Sequence, residues 1–262
     1  MKLERIQKQH PPKTEKGTVL LVHGACLGAW YWSDNFIPNF FEKGYNVIAL
    51  NLRNHGRSEN NGKLRFTSVM DYVEDVRQIV YKIDGPVFIV GHSMGGFVLQ
   101  HYLKTISDNI KGIVLLCSVP SHGLWGLVGR LLVDYPFHFL HSFFSMSWLP
   151  IIKNKTRLKR VMFSSNFPDE KMGAIVNSIQ DESFLAFLEM VFLRLPPQKK
   201  SPVPIMVVGA EKDYLISEND TRKMAATFAV DPLIIKDASH CFIMEEGWES
   251  TAENISQFFD QH

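Results

Sequence analysis

Residues 86–106 read PVFIVGHSMGGFVLQHYLKTI. The opening six, PVFIVG, are short and continuously apolar, the pattern of a parallel strand covered on both faces. From Gly96 to Ile106 the pattern becomes helical. Between the two lies GHSMGG, residues 91–96. Small residues around Ser93 permit a sharp, strained turn that lifts the hydroxyl above the sheet edge. The helix that follows turns its free N–H groups and positive dipole end toward the same point. Gly and Ser are common, so the five-residue pattern alone also fits a plain connecting turn. The strand–turn–helix setting gives it meaning and makes Ser93 a candidate nucleophile.

The same alternation extends outward in both directions. Residues 18–23 (TVLLVH), 46–51 (NVIALN), 111–117 (KGIVLLC), 204–209 (PIMVVG) and 232–236 (PLIIK) each predict a buried strand. Residues 2–9 predict a further edge strand. Over residues 67–83, Val69, Tyr72, Val73, Val76, Ile79, Val80 and Ile83 recur at three- and four-residue steps, one face of a helix. Ser68 and Asp71 are spaced to cap it. Trp248, Ala252, Ile255, Phe258 and Phe259 mark a terminal helix. Such alternation predicts an α/β fold, a mostly parallel central sheet flanked by helices.

The regularity stops between residues 119 and 201, a stretch far longer than an ordinary strand–helix connection. It is rich in Trp, Phe, Leu and Met and predicts a helical cap inserted over the C-terminal edge of the sheet. The expected organisation is a core of residues 1–118 and 202–262 with a cap of residues 119–201. A chain of 262 residues is long enough for one such domain with an insertion.

Charge and cysteine usage exclude several classes. Lys and Arg number 28 against 27 Asp and Glu, so no global field draws the chain to nucleic acid or anionic membranes, which leaves only a local patch to do so. Cys26, Cys117 and Cys241 are odd in number and lack metal-ligand spacing, which predicts free thiols in a reducing, cytoplasmic compartment. Residues 1–16 are charged and lack the apolar core of a signal peptide. Residues 124–152 are the most apolar stretch, but Arg130, Asp134 and Pro136 interrupt them, so no stable membrane insertion is expected.

A serine hydroxyl attacks only when a base takes its proton. In this topology the acid and then the base follow the nucleophile along the chain. His240 comes just after the last predicted strand, where a loop brings it to the sheet edge. His23, His55 and His92 lie in tight turns, and backbone hydrogen bonds account for them; His122, His138 and His141 belong to the insertion. Asp213 follows the next-to-last strand by a short loop, with Glu211, Asp220 and Asp237 as rivals for the acid. His23-Gly24-Ala25 ends the first long buried strand. The backbone N–H groups of Ala25 and Met94 are therefore the expected donors to a developing oxyanion.

HGACLGAWYW (residues 23–32), RNHGRS (53–58), GHSMGG (91–96), GAEKD (209–213) and Ser239-His240 together resemble the ordered signature of the α/β-hydrolase superfamily. They span nearly the whole chain except the insertion. The first segment is similar to the branch of plant methylesterases and hydroxynitrile lyases, and to small bacterial esterases. The resemblance implies the α/β-hydrolase fold, a Ser93–Asp213–His240 triad, and Ala25 and Met94 as oxyanion donors. It implies no metal and no cofactor. The lyases of this branch carry Thr where Gly24 stands and Lys where Cys241 stands, so the lyase reading is disfavoured. Dehalogenase-like relatives and epoxide hydrolases use an Asp nucleophile, which Ser93 is not. The expected reaction is hydrolysis of hydrophobic carboxylic esters through an acyl-enzyme. Thioester or C–C hydrolysis with the same triad, and a ligand receptor with negligible turnover, are the alternatives.

Aromatic residues crowd part of the insertion, and core packing between helices explains most of them. A cap must also cover a cleft, so Trp125, Phe139, Phe143, Phe144 and Trp148 are candidate substrate-binding residues. An exposed part of this stripe would touch lipid interfaces. Lys153, Lys155, Arg157, Lys159 and Arg160 have helical spacing and read as a solvated face. RNHGRS is expected to buttress the loop beside the nucleophile.

Overall fold

The apolar runs pair into a seven-stranded sheet in a computed structural model that describes residues 1–12, 14–195 and 201–262. Its strands are β1 (Arg5–Lys8), β2 (Thr18–Val22), β3 (Asn46–Leu50), β4 (Val87–His92), β5 (Ile110–Leu116), β6 (Ile205–Ala210) and β7 (Leu233–Ile235). Their order across the sheet is β1-β3-β2-β4-β5-β6-β7. Only the β1–β3 pair is antiparallel. Every residue of β2 and β4 is buried, as expected of central strands with helices on both faces. The edge strand β1 is exposed along its length.

Three helices connect the strands of the first half: α1 (Phe36–Glu42), α2 (Val69–Val80) and α3 (Met94–Tyr102). The cap predicted for α2 is present in full. Ser68 Oγ accepts the Asp71 N–H at 3.1 Å, and the Asp71 carboxylate accepts the Ser68 N–H at 2.9 Å. Helix α3 starts at Met94, two residues ahead of the expected Gly96. Gly95 and Gly96 are helical, and the helix lies against its neighbours too closely there for a Cβ. A Cβ on Gly95 would stand 2.5 Å from the Val22 carbonyl oxygen.

Between β5 and β6 run α4 (Trp125–Asp134), α5 (Pro136–Ser145), α6 (Leu149–Ile152), α7 (Lys155–Met162), α8 (Asp169–Ser178) and α9 (Phe184–Phe192). Residues 196–200 of this insertion lie outside the described residues. The chain closes with α10 (Glu218–Thr227) and α11 (Trp248–Asp260).

The path from β2 goes to β3 on one side, and β4 then returns to the other side of β2. The C-terminal ends of β2 and β4 are thus adjacent where the winding reverses. Open α/β sheets form their binding crevices at that point. No helix of the described residues is long and apolar enough to cross a membrane.

Candidate active site

At the end of β4 the backbone of Ser93 turns to φ +53°, ψ −118°, a left-handed value that a side-chain-bearing residue rarely adopts. The surroundings hold it there. Ser93 N–H donates to the Leu116 carbonyl at 3.0 Å, and the Ser93 carbonyl accepts Val119 N–H at 3.1 Å, which ties the turn to the exit of β5. A Cβ on Gly91 would meet the Gly95 carbonyl oxygen at 2.7 Å, so the strand and the returning helix close only around glycine.

Asp213 and His240 reach the same edge from the turns after β6 and β7. Asp213 Oδ1 accepts the N–H groups of Leu215 at 2.7 Å and Ile216 at 2.9 Å, which fixes the carboxylate. Its Oδ2 lies 2.7 Å from His240 Nδ1, and both side chains are buried. The loop bearing His240 hangs on one carbonyl, that of Met162 in α7. Cys241 N–H donates to it at 2.8 Å and Ser239 Oγ at 3.1 Å. His92 Nε2–H donates to the His240 carbonyl at 3.1 Å. Burial first, and His240 beside it, hold the His92 pKa well below the ordinary range, so this ring stays neutral.

Of the acids that sequence order left as rivals, only Asp213 meets the imidazole. Asp237 is exposed and ion-paired with Lys212. Asp220 pairs with His122 and bonds Ser217. Glu211 accepts the Asp237 N–H.

Ser93 and His240 line one cavity of about 110 Å³, together with Ala25 and Met94. That is several times the room one water needs. Among the described residues no hydrogen bond joins Ser93 Oγ to the His240 ring; such contacts are often long before substrate binds and tighten in the complex. Met94 is the first residue of α3, so its N–H has no acceptor within the helix. The walls are apolar and come from the insertion, with Leu127 and Leu131 of α4, Trp148, Ile151, Met162 and Phe187 among them.

Of the five aromatic residues expected at the pocket, only Trp148 lines it. Phe139 is buried beside Trp148, with ring centroids 6.3 Å apart, but outside the cavity. Trp125, Phe143 and Phe144 are exposed on the outside of the insertion, which corrects the expectation. The reason is helical phase. Helix α4 turns Leu127 and Leu131 toward the cavity and Leu132 outward, so Trp125 at its start faces out.

The alpha/beta hydrolase family matches residues 19–254. The chain belongs to that family. This alpha/beta hydrolase is 31% identical over 110 residues to polyneuridine aldehyde esterase of Rauvolfia serpentina, covering 40% of this chain and 41% of the relative. It is 32% identical over 120 residues to methylesterase 8 of Arabidopsis thaliana, covering 45% of this chain and 40% of the relative. The chain thus matches about two fifths of the length of these curated relatives. Among solved structures, an esterase of Exiguobacterium antarcticum aligns with a TM-score of 0.74 and 16% identity, covering 98% of this chain and 94% of that one. At that identity the likeness speaks to the fold.

Two buried groups of this hydrolase escape sequence reasoning. The ligand atoms of Cys117, at the end of β5, and of Asp213 and His240 lie within 4.8 Å of one another. Burial, then the Asp213 charge, pushes the Cys117 thiol pKa well above its usual range, so it stays a neutral thiol beside the pair. His240 Nδ1 is already engaged by Asp213. The second group is Glu182, which lines the cavity and whose Oε2 lies 3.0 Å from His55 Nε2. His55 Nδ1 meets the Arg53 carbonyl at 3.0 Å, the backbone bond its turn predicts, but Glu182 takes the other nitrogen. Glu182 carries no motif and stands 127 residues from His55 in sequence, so nothing short of the fold reveals the pair. The RNHGRS segment is held from a second side as well. Arg53 bonds Asp75 through Nε and Nη2, at 3.0 and 2.8 Å, and Asp71 through Nη1 at 2.7 Å.

Proposed function

We propose that this alpha/beta hydrolase cleaves carboxylic esters of hydrophobic substrates through an acyl-enzyme on Ser93. The observation that carries the reading is the 2.7 Å Asp213–His240 contact on the wall of the cavity that Ser93 also lines. His240 takes the proton of Ser93 as Oγ attacks the acyl carbonyl. Asp213 holds the imidazole with Nε2 toward the cavity and stabilises the imidazolium that forms. The N–H groups of Ala25 and Met94 stabilise the tetrahedral oxyanion. His240 then protonates the leaving alcohol, and water attacks the acyl-enzyme by the same route. The names of the methylesterase and aldehyde-esterase relatives support ester chemistry.

Residues 119–201 act as the cap in this reading. Their helices lie between β5 and β6, and their inner side chains form most of the apolar wall. Apolar walls favour aliphatic or aromatic acyl and alcohol groups over sugars or charged metabolites. Three buried free cysteines fit a reducing, cytoplasmic setting. The outer face of α4 and α5 supports contact with lipid interfaces, because Val133, Phe137 and Phe144 are each about four-fifths exposed there.

A fluorophosphonate probe with p-nitrophenyl esters of graded chain length tests the reading. Labelling at Ser93 that is lost in Ser93→Ala, together with steady turnover, is the expected result. A single turnover would favour the receptor alternative. Absence of labelling would remove the enzyme reading.

A further inference from the structure

Glu182 lies in the short link between α8 and α9 and is almost completely buried. Four donors saturate its carboxylate. Oε2 accepts from His55 Nε2 at 3.0 Å and from the Cys26 N–H at 3.2 Å. Oε1 accepts from Tyr72 OH at 2.6 Å and from the Ser183 N–H at 2.7 Å. Two residues earlier, the Gln180 N–H donates to the Cys26 carbonyl at 3.1 Å. The Gln180 side chain also clamps the RNHGRS loop, accepting the Gly56 N–H at 2.9 Å and donating to the Asn54 carbonyl at 2.8 Å.

Both polar groups of the Cys26 backbone are therefore held by one segment of the insertion. Cys26 needs holding. Its φ is +64°, a left-handed value that a residue with a Cβ rarely adopts. It directly follows Ala25, so the orientation of the Cys26 peptide fixes the end of the loop that carries the Ala25 N–H. A saturated carboxylate has no lone pair left for proton transfer. A buried carboxylate–histidine pair is also a poor source of net stability, since desolvation offsets most of the attraction. What remains is aim.

We infer that Glu182 is a positioning residue: through Cys26 it sets the direction of the Ala25 N–H toward the oxyanion, and so couples the insertion to the chemistry on Ser93. The inference rests on the reading of Ala25 as an oxyanion donor. Its consequence is a loss confined to the transition state, because the substrate's apolar contacts are made elsewhere in the cavity.

Glu182→Gln and Glu182→Ala, compared with the intact protein, test it through kcat and KM on a p-nitrophenyl ester, the inhibition constant of an alkyl trifluoromethyl ketone, and thermal melting. The ketone forms a tetrahedral adduct with the serine and reads the oxyanion site directly. Removal of one oxyanion donor costs roughly 100- to 1000-fold in kcat, so a misdirected one is expected to cost about 10-fold in the Gln variant and about 100-fold in the Ala variant. KM should stay within about threefold, and ketone affinity should fall in step with kcat. A folded Glu182→Ala that keeps kcat within about twofold overturns the inference, as does lost kcat with ketone affinity unchanged. Should both variants fail to fold, Tyr72→Phe decides, since it removes one donor from the same carboxylate. A parallel loss in kcat and ketone affinity supports the inference, and no change in either overturns it. Wild-type turnover in Ser93→Ala would instead sink the underlying mechanism, whatever the Glu182 variants do.

Discussion

Gly95 shows how closely single residues are specified around Ser93. A Cβ there would stand 2.5 Å from the Val22 carbonyl oxygen and 2.6 Å from that of His23, and backbone has little room to yield. Gly95→Ala is therefore expected to cost about 1–3 kcal/mol in urea unfolding, the usual range for overpacking, and to slow fluorophosphonate labelling of Ser93. Unchanged stability and labelling would show that the helix can back away from the sheet without disturbing the turn. The convergence of Ser93, Asp213 and His240 on one sheet edge was legible in the sequence because each follows a strand end. Glu182 and Cys117 were not, because what matters about them is burial and neighbours far away in sequence. His55 was half legible. Its turn could be read, but its carboxylate partner could not.

Among the elements, α4 and α5 are apolar on two sides. Leu127 and Leu131 of α4 face the cavity, while Leu132 is exposed and Val133 and Phe137 at the α4–α5 junction are about 80% exposed. Helical spacing in the sequence counts apolar residues but does not say which side faces the core when both are apolar. That is why three of the five aromatic residues expected at the pocket lie on the outside. The basic helix α7 adjoins this junction, with Arg160 bonded to Asp134 and placed over the Tyr135 ring. An apolar face with a cationic rim suits an anionic lipid surface. The protein is expected to co-sediment with phosphatidylglycerol vesicles more than with phosphatidylcholine ones. Val133→Ser with Phe137→Ser should lower the bound fraction severalfold while leaving hydrolysis of a short soluble ester intact. Equal recovery of wild type and variant with vesicles would remove the lipid reading of this face.

For the molecule as a whole, buried neutral histidines set the response to acid. Burial, then the neighbouring His55, pushes His23 down to about 3, and burial, then Lys104, pushes His101 down to about 4. His92 is depressed as well, chiefly by burial. A histidine depressed in the folded state contributes stability above the unfolded pKa near 6.5, and that contribution falls away as pH drops toward the folded value. His55 runs the other way. Burial opposes its charge, but the Glu182 carboxylate outweighs burial and raises its pKa. Among the histidines, three depressed groups against one raised group predict net destabilisation between pH 7.5 and pH 5, a range above the ordinary carboxylate values. For His23 alone, unfolding free energy should be about 2 kcal/mol lower at pH 5 than at pH 7.5. Urea unfolding at the two values checks this, and equal or greater stability at pH 5 would contradict it. The order of strands and helices was legible at this scale because parallel strands are apolar throughout and punctuated by Gly, Pro and Asn. The clamping of the insertion onto the Ala25–Cys26 loop was not, because it is made by hydrogen bonds to backbone groups that leave no pattern.

The central claim is that Ser93 and His240 work as one unit. A double-variant cycle measures this most directly, with kcat on a p-nitrophenyl ester for Ser93→Ala, His240→Ala and the two combined. Each single change is expected to lower kcat roughly 10⁴-fold or more, and the double variant should be no more than a fewfold worse than either. Losses that multiply in the double variant, or near-wild-type turnover in either single one, would contradict the account.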